Sequence, residues 1–224
     1  MDTPEPKPNV AASLITIHAV ITRGLTVSTE SVISFLKEPP PSASLLEGFL
    51  KYCQALVATL HGHHLAEDDL SFPYFKKMLP RLPVGLLTQQ HKEMIPILEN
   101  IKSSIESCEK QEGIPQALKG LQTGLNTIQA MWKPHIEIEE KHLTIEELET
   151  LLPPEEHLKL IRLFGEHSQK HSQPAFLTAP FILYNLPPEA RAEMAKGMPA
   201  EVTENLVPII WKEQWAPMLP YLLA

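Results

Sequence analysis

The chain has 224 residues, a hydrophobic fraction of 43% and a formal net charge of −8. This charge argues against a nucleic-acid-binding protein, which needs a basic face to displace counterions from phosphate. The only cysteines, Cys53 and Cys108, exclude a disulfide framework and a thiolate metal site, whereas there are ten histidines. There is no signal-peptide pattern and no uncharged apolar run of about 18 residues, so we expect a soluble cytoplasmic protein that does not span a membrane.

The first two thirds of the chain predict four helices. Residues 1–10 are rich in proline and charge and are predicted to be disordered. Apolar residues then recur in steps of three and four, and prolines or glycine interrupt the pattern. The predicted helices cover about residues 14–38, 44–75, 84–110 and 115–151. Because their connections are short, residues 11–152 are predicted to form an all-α, antiparallel four-helix bundle.

Residues 153–224 are predicted to be a C-terminal helical extension. Helices are expected near residues 158–170, 189–196 and 200–215. The tail WAPMLPYLLA is apolar and interrupted by proline, so we expect it to fold back on the bundle, because apolar surface is unfavourable in water. An extension of this length could cover the entrance to a site and shape a substrate pocket.

Four histidines occupy positions where the core of a helical bundle normally has leucine. Each lies on the apolar stripe of a different predicted helix, and two of them are followed four residues later by a glutamate on the same helix face. The six candidate metal ligands are His18, His63, Glu67, His91, His135 and Glu139.

This set of side chains favours a dinuclear metal centre. Burying so many polar groups without partners costs on the order of several kcal/mol for each group. Imidazole and carboxylate ligands suit iron, zinc, manganese or copper. Six ligands are too many for one tetrahedral zinc ion but fit two metal ions with vacant positions for oxygen, hydroxide or substrate. A set of buried polar residues without any metal is the alternative at this stage.

Three segments carry a family resemblance. HAVITRGL (18–25), HHLAEDDLSFP (63–73) and HIEIEE (135–140) resemble the first, second and fourth helices of the hemerythrin-like (HHE cation-binding) family, and the resemblance covers about residues 12–150. It implies a four-helix bundle with a non-heme, usually di-iron centre that is bridged by the two glutamates and an oxo or hydroxo group.

The chain departs from the oxygen-carrying hemerythrins in two places. Those proteins have a second histidine four residues after the ligand of the third helix, where this chain has Ile95. Their fourth helix uses a histidine and an aspartate at a wider spacing than His135 and Glu139. One metal therefore has a ligand fewer than in a carrier, which argues against simple reversible oxygen transport and for an open coordination position.

The other six histidines are expected outside the centre. His64 is expected to form a surface hydrogen bond; the alternative is a peripheral pair with Asp68, four residues later. His142 is expected to support the ligands from the end of the bundle. His167 and His171 are expected on an exposed face; alternatively, they chelate a metal by themselves or replace the ligand absent at Ile95. Surface positions are predicted for His61 and His157.

Two functions follow from this interpretation, and the sequence does not decide whether the protein is an enzyme. The first is a non-heme di-iron protein that binds dioxygen, nitric oxide or iron itself. The alternative is a di-iron oxidase or oxygenase that activates dioxygen to oxidise a small organic substrate.

Overall fold

The computed structural model describes residues 8–223. Within this range the chain forms helices and connecting turns without any β-strand, which confirms the all-α prediction. The predicted disorder of residues 1–10 concerns mainly positions outside the described residues. Inside them, the Asn9 side chain accepts hydrogen bonds from the N–H groups of Ala11 and Ala12 and so caps the first helix.

The described residues contain α-helices of very different lengths. The α-helices are α1 (Val10–Lys37), α2 (Ala43–Ala66), α3 (Phe72–Met78), α4 (Val84–Glu109), α5 (Ile114–His142), α6 (Ile145–Leu151), α7 (Pro154–His171), α8 (Ala175–Tyr184), α9 (Pro188–Lys196) and α10 (Lys212–Trp215). Two π-helical segments, Glu67–Ser71 and Glu201–Ile210, and a 3-10 helix, Ala216–Tyr221, complete the secondary structure.

The long helices α1, α2, α4 and α5 pack in a ring, in which α1 and α4 each contact both α2 and α5. Neighbours run in opposite directions: His18 and then Thr22 of α1 meet Glu140 and then Trp132 of α5. These helices correspond to the four predicted ones. The fourth predicted helix, however, is interrupted, because the Thr144 side chain accepts a hydrogen bond from Glu147 N–H and starts α6.

The second predicted helix is also interrupted, by the π-helical turn Glu67–Ser71 between α2 and α3. A π turn holds one more residue than an α turn and therefore rotates the following helix faces by about 100°. A continuous α-helix would place Leu70 and Tyr74 on the same inner face as His63 and Glu67, but both are only half-buried. Phe72 and Phe75 are the buried side chains instead.

The C-terminal part of the chain lies against α2, which contacts α7, α8 and the 3-10 helix. Glycines permit the close approach. A Cβ at Gly48 would overlap the carbonyl oxygen of Pro217, and a Cβ at Gly62 would overlap the hydroxyl of Ser172. Side chains larger than hydrogen are therefore excluded at both positions unless the C-terminal part of the chain moves.

A buried polar cluster connects α1 and α2 to this C-terminal part. Arg23 donates to the Tyr52 hydroxyl at 3.2 Å, to the carbonyl oxygen of Tyr221 at 2.9 Å and to the side-chain oxygen of Asn185. The Tyr52 hydroxyl donates to the same Asn185 oxygen at 2.6 Å. Because buried polar groups are costly when unpaired, this cluster fixes the position of the C-terminal residues relative to α1.

Helix α1 is also long and apolar enough to cross a membrane by length and composition, with a mean hydropathy of 1.6 over its most apolar window. Its apolar run contains Arg23, so it is not an uncharged stretch of about 18 residues. The packing of α1 against α2 and α5 is equally the behaviour of a core helix.

Candidate metal centre

All six predicted ligands meet in the core, together with His64. They come from α1, α2, the π turn, α4 and α5, and each is at most 7% exposed. Their potential ligand atoms form two groups, in each of which the atoms lie within 4.8 Å of one another. The first group is His18, His63, Glu67 and Glu139, and the second is His64, Glu67, His91 and His135.

The donor atoms of the first group converge without satisfying one another. His63 Nε2 lies 3.0 Å from Glu67 Oε1, and His18 Nε2 lies 3.3 Å from Glu139 Oε2. These nitrogens and both oxygens of each carboxylate are buried and lack a hydrogen-bond partner. Unpaired buried acceptors of this number are unfavourable, and cations between them would remove the penalty.

The second group shows the same requirement in another form. His91 Nδ1 and His135 Nδ1 face the oxygens of Asp68 and Gln90, at 3.1 and 2.9 Å, so both Nδ1 atoms carry hydrogen. In the neutral rings, the Nε2 atoms then present lone pairs to each other across 3.1 Å. Two facing lone pairs repel unless a proton or a metal ion lies between or beside them, so this donor set also fits a cation.

Outer hydrogen bonds aim three of the imidazoles at the centre. Besides the bonds to Asp68 and Gln90, His18 Nδ1 lies 2.8 Å from Glu140 Oε1. Asp68 is itself held by Thr88, whose hydroxyl donates to it at 2.7 Å. Such partners fix the tautomer and the orientation of a metal-binding histidine and increase its basicity.

Trp132 closes the core side of the centre. Its ring lies 5.5 to 6.0 Å from the rings of four histidines, measured between centroids, and only 2% of the residue is exposed. The four contacted histidines are His18, His63, His64 and His135. The indole N–H donates to the Thr22 hydroxyl at 2.9 Å, so the face beside the ligands is apolar and excludes water.

Three of the histidines are held in the neutral form that binds metals. Burial and the neighbouring imidazole of His18 lower the pKa of His63 well below its ordinary value. Burial and His91 have the same effect on the pKa of His64, and they lower the pKa of His135 to about 4. These rings therefore offer lone pairs at neutral pH.

The carboxylates have the opposite influence on the other two histidines. Burial disfavours the charged ring of His91, but the hydrogen bond to Asp68 and the Glu67 carboxylate, 3.4 Å from Nε2, outweigh burial and raise the pKa of His91 to about 9. The pKa of His18 is raised against burial by Glu139 and Glu140. Without metal, protons on these rings partly balance the buried carboxylates, so a metal ion has to displace them.

The two central carboxylates are distinguished by their surroundings. Burial and the nearby Glu139 carboxylate raise the pKa of Glu67 to about 7. At Glu139 burial is outweighed by the close His18 imidazole, whose Nε2 lies 3.3 Å from Oε2, so the pKa of Glu139 is lowered. Oxygens of these two buried carboxylates lie within 4.8 Å of each other, so the carboxylates repel, and positive charge between them relieves the repulsion.

A narrow crevice between α1 and α5 ends at the centre. Its lining includes Leu14, Ile15, His18 and Glu139, and it is too narrow to hold a water molecule. Glu140, which bonds to His18, lies at the wall of the same crevice. The helices therefore close tightly over the centre on this side.

The prediction that His64 lies on the surface and forms a hydrogen bond there is wrong. His64 is 4% exposed, and its ring stacks on that of His91 with 3.9 Å between centroids. Asp68 is occupied by His91 and Thr88. Two successive residues on a helix differ by about 100° in direction, so His63 can face α1 while His64 faces α4. The HH pair in HHLAEDDLSFP was the signal for this second ligand.

His64 also supplies the donor that was expected to be missing at Ile95, which is 45% exposed. His167 and His171 are not in either ligand group: their rings stack at 4.3 Å between centroids, and His167 Nε2 lies 3.0 Å from Asp69. Among the described residues, His61 and His142 are half-buried and likewise outside both groups.

The surface position predicted for His157 is wrong. This residue is 2% exposed, and its Nδ1 accepts a hydrogen bond from Val10 N–H at 3.2 Å. It therefore acts with Asn9 on the N-terminal end of α1, where backbone N–H groups have no partner within the helix. Nothing in the spacing around His157 indicates this long-range contact.

A buried cluster of imidazoles and carboxylates between helices is typical of cation-binding helical domains. The model of the hemerythrin HHE cation-binding domain matches residues 13–144, which is more than half of the chain, and the chain belongs to this family. Neither the curated proteins nor the solved structures gave a match.

Proposed function

We propose that the protein is a hemerythrin-like non-heme di-iron protein, in which α1, α2, α4 and α5 form the four-helix bundle. The observation that carries this proposal is that Glu67 belongs to both ligand groups. One carboxylate with an oxygen toward each group suits a bridge between two cations. The absence of cysteine from both groups favours iron over metals that prefer thiolate.

The surrounding residues would adapt this centre to a small ligand. A pair of iron ions supplies redox chemistry and open positions for dioxygen or nitric oxide. Asp68, Gln90 and Glu140 hold the Nδ1 atoms of three ligands, and Trp132 excludes water from the core side. We therefore propose binding or sensing of dioxygen or nitric oxide, or iron handling, as the function.

Metal analysis after anaerobic addition of ferrous iron tests the proposal. We expect about two iron ions per chain, the number that a dinuclear site holds. Glu67→Ala and Glu139→Ala should lose metal and lower the melting temperature. His61→Ala is the matched control, because His61 lies on the same helix but outside both groups. Fewer than one iron ion per wild-type chain would refute the dinuclear centre.

An oxidase or oxygenase acting on a small organic substrate is the second candidate. The crevice beside His18 and Glu139 is too narrow for a water-sized molecule, which disfavours an organic substrate there. Addition and removal of oxygen distinguishes the two: a reversible absorption change supports binding, whereas oxygen consumption that depends on an added organic compound supports an enzyme.

We also propose that α1 is a core helix of a cytoplasmic protein. Its His18 has to face α5 to join Glu139, and a lipid environment would separate the two. Cell fractionation tests this proposal, and recovery of the protein only in the membrane fraction would contradict it.

A further inference from the structure

A second cavity lies in the C-terminal part of the chain and shares no lining residue with the candidate metal centre. It is open to solvent and has a volume of about 280 Å³. Helix α8, the second π-helical segment, α10 and the chain end contribute its walls. Its lining includes Tyr184, Pro208, Lys212, Trp215, Leu219 and Leu222.

The aromatic wall of this cavity offers apolar surface. Tyr184 and Trp215 stack with 5.0 Å between centroids and 26° between planes. The Trp215 indole N–H is already used, since it donates to the carbonyl oxygen of Val207 at 2.7 Å. The Arg191 guanidinium lies over the Tyr184 ring at 4.6 Å, and Trp215 is 3% exposed. A ligand at this wall would therefore meet ring edges and the aliphatic carbon of the leucines, which favour an acyl chain.

Exposed apolar side chains occur in the lining and next to it in the sequence. Leu219, which lines the cavity, is 43% exposed, and Ile209 and Ile210, which directly follow the lining residue Pro208, are 64% and 56% exposed. Ile209 and Ile210 are among the most exposed large hydrophobic side chains in residues 8–223. Neighbouring exposed apolar side chains of this kind mark binding sites more often than ordinary surface.

Lys212 is the charged side chain in the lining, and it is exposed. In the part of the chain that the structure describes, no carboxylate forms an ion pair with Lys212. The nearby Arg191 is already engaged, because its guanidinium donates to the carbonyl oxygens of Leu183, Leu186 and Leu223. Arg191 adds positive charge beside the cavity, whereas Lys212 lines it and offers its ammonium N–H groups directly to an anionic ligand.

We propose that this cavity binds a small amphipathic carboxylate, with the apolar part against Tyr184 and Trp215 and the carboxylate on the Lys212 ammonium. One water occupies about 30 Å³ of liquid volume, so the cavity of about 280 Å³ accommodates roughly nine or ten non-hydrogen atoms. Octanoate has this size and charge pattern, and it serves as the probe.

Calorimetric titration of the full chain with octanoate tests the proposal, with 1-octanol and octylammonium as probes of equal length. We expect octanoate to bind more tightly than either. Lys212→Gln should weaken octanoate binding about threefold, the effect of one solvent-exposed ion pair, and should leave 1-octanol binding unchanged. Leu219→Trp, which places an indole at the mouth, should weaken both by at least about tenfold.

The result is independent of the proposed di-iron centre, because iron content is measured on the same samples and should not change in either variant. Octylammonium binding as tightly as octanoate, or octanoate binding unaffected by Leu219→Trp, would overturn the proposal. The absence of octanoate binding to the wild-type chain would overturn it as well.

Discussion

Asp68 offers a test of how the outer hydrogen bonds act on the candidate metal centre. Its carboxylate faces His91 Nδ1 at 3.1 Å and accepts from the Thr88 hydroxyl at 2.7 Å. In Asp68→Asn the amide oxygen can still accept from His91 while the amide nitrogen donates to Thr88. The substitution therefore keeps both contacts and removes the negative charge.

The expected loss follows from the position of this carboxylate. Removing an outer partner of a metal-binding histidine weakens metal affinity by about 10- to 100-fold, or about 1.4 to 2.7 kcal/mol. The Asp68 side chain is 28% exposed, so solvent screens part of its charge. We therefore expect a loss of about tenfold, at the lower end of this range.

The assay is a competition titration of ferrous iron between the protein and a chelator of known affinity. Asp69→Asn is the matched control: Asp69 is adjacent, 57% exposed, and bonded to His167 outside the centre. It removes the same charge and should change the affinity less than about twofold. Equal losses in the two variants would refute the argument, because they would reflect net charge and not the bond to His91.

Three further predictions concern the metal, the pH and the packing of the chain. Removal of metal should lower the melting temperature in calorimetry, since metal present at about 1,000 times its dissociation constant adds about 4 kcal/mol to the free energy of unfolding. Because the carboxylates raise the pKa of His91 to about 9, metal loading at pH 7 to 8 should release protons into a weakly buffered solution, and an unchanged pH would contradict this. Burial raises the pKa of Cys53 from 9.0 to about 12, so above pH 9 the unfolded chain loses a proton that the folded chain keeps. The unfolding free energy, measured by urea titration, should therefore fall with pH more steeply in the wild type than in Cys53→Ala, by about 1.4 kcal/mol per pH unit. In the same titrations Gly48→Ala should destabilise the protein, although alanine is the better helix former, because its Cβ meets the backbone of Pro217. The control Gly165→Ala, whose Cβ has no atom within 4 Å, should be neutral or stabilise the protein by up to about 1 kcal/mol, and the opposite order would be inconsistent with the packing.

The sequence predicts most of the centre because the six ligands interrupt an otherwise apolar stripe, and helical spacing determines which way each of them faces. It fails for His64 because a periodic pattern allows one inward residue for each turn, whereas a histidine pair at the end of α2 can face two neighbouring helices. It fails after Glu67 because the composition of EDDLS does not indicate a π turn. The extra residue in this turn rotates the following helix, so that Phe75 is buried in place of Tyr74.

The partners that lie far apart in the chain could not be predicted at all. The bond between His157 and Val10 spans 147 positions, and the one between Arg23 and Asn185 spans 162. Helical periodicity reports which side of a helix is buried but not which residue covers it. Contacts of this kind depend on how the C-terminal helices dock, and the sequence pattern carries no such information.

The contacts at the glycines of α2 show that the segment that packs together is longer than the segment that matches the family. The match ends at residue 144, but the face of α2 around Gly48 is covered by residues that follow residue 170. A chain shortened to the matched segment would expose Phe49 and Tyr52 to water and leave Arg23 without its Asn185 and Tyr221 acceptors. The smallest piece of this protein that can be expected to fold therefore includes the C-terminal helices, which support the ligand-bearing helix α2 from its opposite side.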